Sequence, residues 1–157
     1  MNSMAALTIF FVLTFAAAWF GSRFRPDGWY AGLRKPSFNP PNWVFAPVWG
    51  VLYLLMAVAA WRVWMSAGFA PAIVLWLVQL ALNAGWSWLF FGRHRIEIAL
   101  LDIVTLLVFI VATTAAFFDI DAWAGILLLP YLAWVAFATL LNFSLWKLNR
   151  DPLSLSL

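Results

Sequence analysis

The sequence predicts an all-α integral membrane protein, a bundle of five transmembrane helices with one long, ordered first loop. Three observations lead there. Hydrophobic residues make up 66% of the 157-residue chain and charged residues only 10%, against about 45–50% and about 25% in an average soluble domain. Five stretches approach the roughly 20 apolar residues that a bilayer core requires. Positive charge is concentrated in alternate connections, as it is in multi-pass proteins.

Composition also excludes several function classes. Nine Lys and Arg with six Asp and Glu cannot cover a water-exposed surface, and 12 Trp, 15 Phe and 3 Tyr add to the apolar load. Lipid is the solvent this chain needs. The pI near 9.8 comes from scarce acids rather than a basic stripe, so no nucleic-acid partner is expected. Cysteine is absent and His94 is the single histidine. Disulfides, thiolate chemistry and the usual metal ligand sets are thereby excluded, and no metal site or required cofactor is expected.

One transmembrane domain spans residues 1–157, with helices at about 4–20, 44–65, 71–91, 98–118 and 126–146. The first stretch carries Ala16-Ala17-Ala18, which resembles a signal-cleavage region. Residues 1–7 hold no Lys or Arg, however, so a retained helix is the better reading. Residues 22–43 form the first loop, with Pro26, Pro36, Pro40 and Pro41 interspersed with Gly28 and Gly32. Trp29, Tyr30, Leu33, Phe38 and Trp43 give that loop apolar surface to pack. This favours an ordered lid over a plain interfacial connection. The second helix opens with FAPVWGVLY, placing Pro47 in the first turn, where a missing N–H costs little. The short links after it make antiparallel neighbours of consecutive helices. No period-two alternation supports a barrel.

Arg23, Arg25, Arg34 and Lys35 lie in the first loop, Arg93 and Arg95 in the third, and Lys147 and Arg150 in the tail. Only Arg62 lies at the other end. The positive-inside rule therefore puts the C-terminus in the cytosol if the host is an inner bacterial membrane, with inner versus outer left open. Arg62 is expected to snorkel to the outer interface. Asp119 and Asp121 are too sparse for calcium. Asp102, one turn inside the fourth helix, is expected to reach the interface or pair with Arg93 or Arg95.

Gln79, Asn83 and Ser87 recur at four-residue steps on the third helix and form one polar stripe. An unpartnered amide in hydrocarbon costs several kcal/mol, so the stripe must face protein or a cavity. Taken alone it reads as interhelical glue. On the opposite side, Ala81 and Gly85 form a small-xxx-small pair suited to a second subunit. The same spacing recurs at Ala17/Gly21 and Ala112/Ala116. Trp49 and Tyr53 share a face of the second helix, and Trp134, Ala138 and Asn142 share one on the fifth. Three helices turning Trp, Tyr and Asn inward suit a flat, mostly apolar ligand.

The run WYAGLRKPSFNPPNWVFAPVWGVLY, with QLALNAGWSWLFF and PYLAWVAFATLLN after it, resembles the translocator protein family. These proteins are also called tryptophan-rich sensory proteins or peripheral benzodiazepine receptors, and the chain looks like a bacterial-type member. The resemblance implies a five-helix, usually dimeric protein that binds porphyrins or haem, sterols, and isoquinoline or benzodiazepine drugs. It maps the ligand pocket onto Tyr30, Trp49, Tyr53, Asn83, Trp134 and Ala138. A proposed sterol motif of the family maps onto Leu141, Phe143 and Lys147, with Phe143 where the motif has tyrosine. It further implies a sensor or transporter role in tetrapyrrole metabolism. The alternative is a light-dependent porphyrin-degrading enzyme, in which Tyr30, Trp49 and Trp134 serve as the redox-active groups. The Ala81/Gly85 face is the expected homodimer contact.

Overall fold

In the computed structural model, residues 2–150 are described. Helix α1 spans Ser3–Ser22, and the Asn2 side chain caps it by accepting the Ala5 N–H at 2.7 Å. A single helical turn, α2 (Gly28–Ala31), lies within the first loop. Helix α3 runs Asn42–Ala67 and ends at Gly68, whose φ of 65° is a conformation glycine adopts without a Cβ penalty. Helix α4 spans Pro71–Ser87 and continues as a π-helical turn, Trp88–Gly92. Helices α5 (Ile96–Ile120) and α6 (Ala122–Asn149) complete the bundle. Among the described residues, five helices are long and apolar enough to cross a membrane, as the sequence predicts.

Local differences have physical causes. Helix α3 begins at Asn42 rather than near residue 44, so Pro47 falls in its second turn, not its first. The carbonyl of Trp43 thereby loses its helical donor, at a residue that is 74% exposed. Pro130 does the same to the Ile126 carbonyl within α6.

The five long helices close into a ring in the order α1, α3, α6, α5, α4. This corrects the expectation that every short link joins packing neighbours. Helices α3 and α4 are consecutive, yet each has α1 between them in the ring, and they meet chiefly across the interior. Their link, residues 68–70, bridges the end of the bundle instead of its flank.

At one end, Trp61 Nε1 donates to the Ser3 carbonyl at 3.1 Å. Arg62 does not simply snorkel there. Its Nε and Nη2 donate to Asp121 Oδ2 and Oδ1 at 2.9 and 3.3 Å, tying α3 to the α5–α6 corner. Asp121 also accepts the Trp123 N–H at 2.9 Å and so caps α6. The opposite end gathers the first loop, the α4–α5 corner and the end of α6. The positive residues of the first loop, the α4–α5 corner and the end of α6 therefore share one end, opposite Arg62.

The core is centred on Trp76, Tyr131, Phe117 and Met56, all fully buried. Buried Thr14, Thr113 and Thr114 satisfy themselves by donating to carbonyls one turn back, those of Phe10, Phe109 and Ile110. That leaves the buried amides Gln79, Asn83 and Asn142 to find partners on other helices.

Candidate functional site

Those amides organise the middle of the bundle. Tyr53 Oη on α3 donates to Asn83 Oδ1 at 2.8 Å, and Asn83 Nδ2 donates to Tyr131 Oη on α6 at 2.8 Å. Tyr131 Oη in turn donates to Gln79 Oε1 at 2.7 Å, and Gln79 Nε2 reaches Met56 Sδ at 3.9 Å. The stripe on α4 thus spans the bundle from α3 to α6. In lipid such partners are needed, because no water replaces them. Lower in α4, Trp86 Nε1 donates to Asn142 Oδ1 at 2.9 Å, and Asn142 Nδ2 donates to the Ile96 carbonyl at 3.2 Å. Ser87, the last of the stripe, faces α1 instead, 3.5 Å from where a Cβ on Gly21 would lie.

Two sets of aromatic rings adjoin the core. Trp49 packs 5.7 Å from the Tyr53 ring and edge-on to Tyr131 at 6.3 Å. Trp134 stands edge-on to Phe45 at 5.9 Å and beside Phe137 at 5.7 Å, with half-buried Ala138 one turn away. The Trp134 Nε1 is buried and without a hydrogen-bond partner. A buried donor left unpaired costs about 1–3 kcal/mol. Trp49, Tyr53, Trp134 and Ala138 belong to one core cluster and its immediate border, and buried Asn83 is bonded to it through Tyr53 and Tyr131.

Tyr30 is placed apart from them. It is 5% exposed and belongs to a second cluster with Phe90, Ile96, Ala99 and Leu145. Its hydroxyl and the Asn39 amide are 3.3 Å apart, and the Lys35 ammonium lies 4.6 Å over its ring while donating to its carbonyl at 2.7 Å. Asp27 caps α2 by accepting the Tyr30 N–H at 3.1 Å, which holds its carboxyl below the ordinary value of 3.8. Asn149 on α6 accepts the Arg34 N–H and donates to the Arg34 carbonyl, both at 2.9 Å. Phe38 rests near Phe137 at 6.2 Å. The first loop is ordered by these ties to α6 and to the α4–α5 corner.

Residues 9–147 match the model of the TspO/MBR family. The chain belongs to that family. It is 43% identical over 150 residues, 95% of each chain, to the tryptophan-rich sensory protein of Cereibacter sphaeroides. It is 44% identical to the translocator protein of Homo sapiens over 138 residues, covering 83% of this chain and 82% of the human one. The CrtK protein of Rhodobacter capsulatus is 38% identical over 162 aligned positions, 98% of this chain and 99% of the relative. Membership in the TspO/MBR family makes this an integral, multi-pass membrane protein of a sensor and transporter family.

Leu141 is buried, while Phe143 and Lys147 are exposed one turn apart, so the three do not share a face. Ala81 is exposed on α4, whereas Gly85 is half-buried and a Cβ there would lie 3.7 Å from Asp102 Oδ1. Asp102 does not pair with either arginine named for it. Arg95 engages Glu97 at 3.3 Å, Arg93 lies over the Trp88 ring at 5.8 Å, and Asp102 Oδ2 is buried without a hydrogen-bond partner. The sequence alone did not pair Asn83 with Tyr53 and Tyr131, nor Tyr131 with Gln79. Tyr131 follows Pro130 one turn before Val135, and its depth was the available signal, since a phenol there requires an acceptor.

Proposed function

We propose that the protein binds tetrapyrroles such as protoporphyrin IX and haem within the membrane, and acts as a sensor or transporter in tetrapyrrole metabolism. Sterols and isoquinoline or benzodiazepine drugs are further flat apolar molecules suited to the same site. The observation that carries this reading is Trp134 Nε1, an unpaired buried donor beside Phe45 and Phe137 at the border of the core, whereas the other unpaired indole N–H, that of Trp76, lies at the core's centre. A flat ligand bearing acceptors would lie against Trp49 and Trp134 and satisfy it. Under the positive-inside rule, the end bearing the first loop faces the cytosol if the membrane is an inner one.

Protoporphyrin IX titrated into detergent-solubilised protein, followed by Trp fluorescence, tests the assignment. Saturable binding is expected. Trp134→Phe keeps an aromatic face of smaller area and removes the N–H, and should weaken binding by at least about three- to tenfold, the scale of one hydrogen bond. Joint replacement of Asn83, Trp49 and Trp134 by Ala should weaken it further. Unchanged affinity in that triple variant would place the ligand elsewhere.

A second reading, light-dependent porphyrin degradation, draws support from the contiguity of Trp49 with Tyr53 and Tyr131. These rings are oxidisable; Trp134 packs with Phe45 and Phe137 at the border of the same core cluster, whereas Tyr30 belongs to the other cluster. Illuminated protein should then consume porphyrin faster than an inert membrane protein of equal Trp content. Equal rates would reduce the effect to bulk photochemistry.

A further inference from the structure

Histidine is the side chain whose charge ordinarily changes between pH 5 and 8, and this chain has one. His94 occupies the corner between the π-helical turn and α5 with a left-handed backbone, φ 55°. That conformation turns its ring onto the first loop. Its Nε2 lies 3.1 Å from Asp27 Oδ2, and its ring stacks on Trp29 with centroids 4.3 Å apart and planes within 10°. The other oxygen of the same carboxylate, Asp27 Oδ1, accepts the Tyr30 N–H and caps α2. One carboxylate therefore holds both the helical turn of the loop and the histidine of the corner.

The surrounding charges leave this pairing uncontested. His94 shares a cavity of about 260 Å³ with Glu97 of α5 and Arg150 at the end of α6. Glu97 is held by Arg95, and Arg150 lies 5.2 Å over the Trp146 ring. Arg93 is engaged by Trp88. Asp27 is the carboxylate left to meet the imidazole.

We infer that His94 and Asp27 form a proton-operated latch that fastens the first loop to the α4–α5 corner. With His94 protonated, the contact is a charge-assisted hydrogen bond, α2 stays capped, and the loop is held. As pH rises and the imidazole becomes neutral, the stack on Trp29 and a weaker hydrogen bond remain, and the loop opens more often. The latch rests on the functional reading above only for its consequence, namely that the loop covers the ligand site. Ligand exchange would then be slower in acid.

Amide hydrogen exchange of residues 28–33 in the full-length, ligand-free protein tests the latch. Rates are compared at about pH 5.5 and about pH 8 after correction for intrinsic exchange. Protection should be about two- to fivefold greater at the lower pH, the scale of a half-exposed ion pair. His94→Gln should abolish that dependence. Asp27→Asn should abolish it too while keeping a competent helix cap, so loss of α2 is not the cause. Equal protection at both pH values in the wild type, or an undiminished pH response in His94→Gln, would overturn the latch. Protoporphyrin IX dissociation, measured on the same samples, should slow in parallel. A loop that responds while dissociation does not would leave the latch standing and overturn only the loop's role as cover.

Discussion

Tyr53 and Asn83 are hydrogen-bonded at 2.8 Å across the centre of the bundle, between two helices that are consecutive in the chain but not adjacent in the ring. Asn83 spends both ends of its amide this way, accepting from Tyr53 and donating to Tyr131. Its removal and the removal of one hydroxyl therefore differ in kind. Tyr53→Phe should cost about 0.6 kcal/mol, a typical value for one interhelical bond in a membrane protein. Asn83→Leu leaves two buried hydroxyls without this partner and should cost about 1–3 kcal/mol. Denaturant titration in detergent distinguishes them, and the double variant should be less destabilised than the sum of the two. Strict additivity would mean that the bond contributes nothing.

The Arg62–Asp121 pair predicts an acid dependence of stability. Desolvation tends to raise the Asp121 pKa, but the Arg62 hydrogen bond, the Trp123 N–H and the Arg62 charge outweigh it and lower the value below 3.8. A depressed carboxyl contributes stability above its unfolded pKa, about 3.9, and loses it as pH falls through the folded value. The melting temperature of the wild type should therefore fall more steeply below about pH 4 than that of Asp121→Asn. Parallel curves would assign the acid loss to other carboxylates.

How far the sequence revealed this arrangement depends on the kind of information each residue carries. The five spans were legible because hydrocarbon thickness imposes a length on apolar runs, and the Gln79/Asn83 stripe was legible because helical spacing fixes its face. The partners of that stripe were not. They depend on ring order, and short links alone suggest the wrong neighbours for α3 and α4. Arg62 looked solitary because Asp121 lies 59 residues away. Gly85 looked like a surface residue for the same reason: Asp102 packs against it from another helix. Among the mapped pocket residues, Tyr30 alone sits in the second cluster, because α2 turns its ring toward Phe90 and Phe91.

Asn149 predicts how firmly the first loop is held. Its side-chain amide makes two 2.9 Å bonds to the Arg34 backbone, a pairing that no other residue type reproduces without shifting. Asn149→Ala should speed proteolytic cleavage within residues 22–43 about two- to tenfold, as one or two partly exposed hydrogen bonds are lost. Saturating protoporphyrin IX should slow cleavage in the wild type if the loop covers the site. Unaltered cleavage in the variant would show that the loop is held mainly by its other ties, through Tyr30, Phe38 and the Asp27–His94 contact.

The last prediction concerns a homodimer formed through α4. Ala81 is exposed on that helix, and a small side chain facing lipid gains little there, whereas a second backbone gains close contact. Gly85 is a poor place to test this, because a side chain there would contact Asp102 within the same subunit. Ala81→Leu is the cleaner variant. It should give monomers in mild detergent, by light scattering or crosslinking, that bind porphyrin as tightly as the wild type. A variant that stays dimeric would move the contact elsewhere. Ala17 is buried and Gly21 faces Ser87 inside the subunit, so the exposed Ala112 on α5 would become the next position to replace.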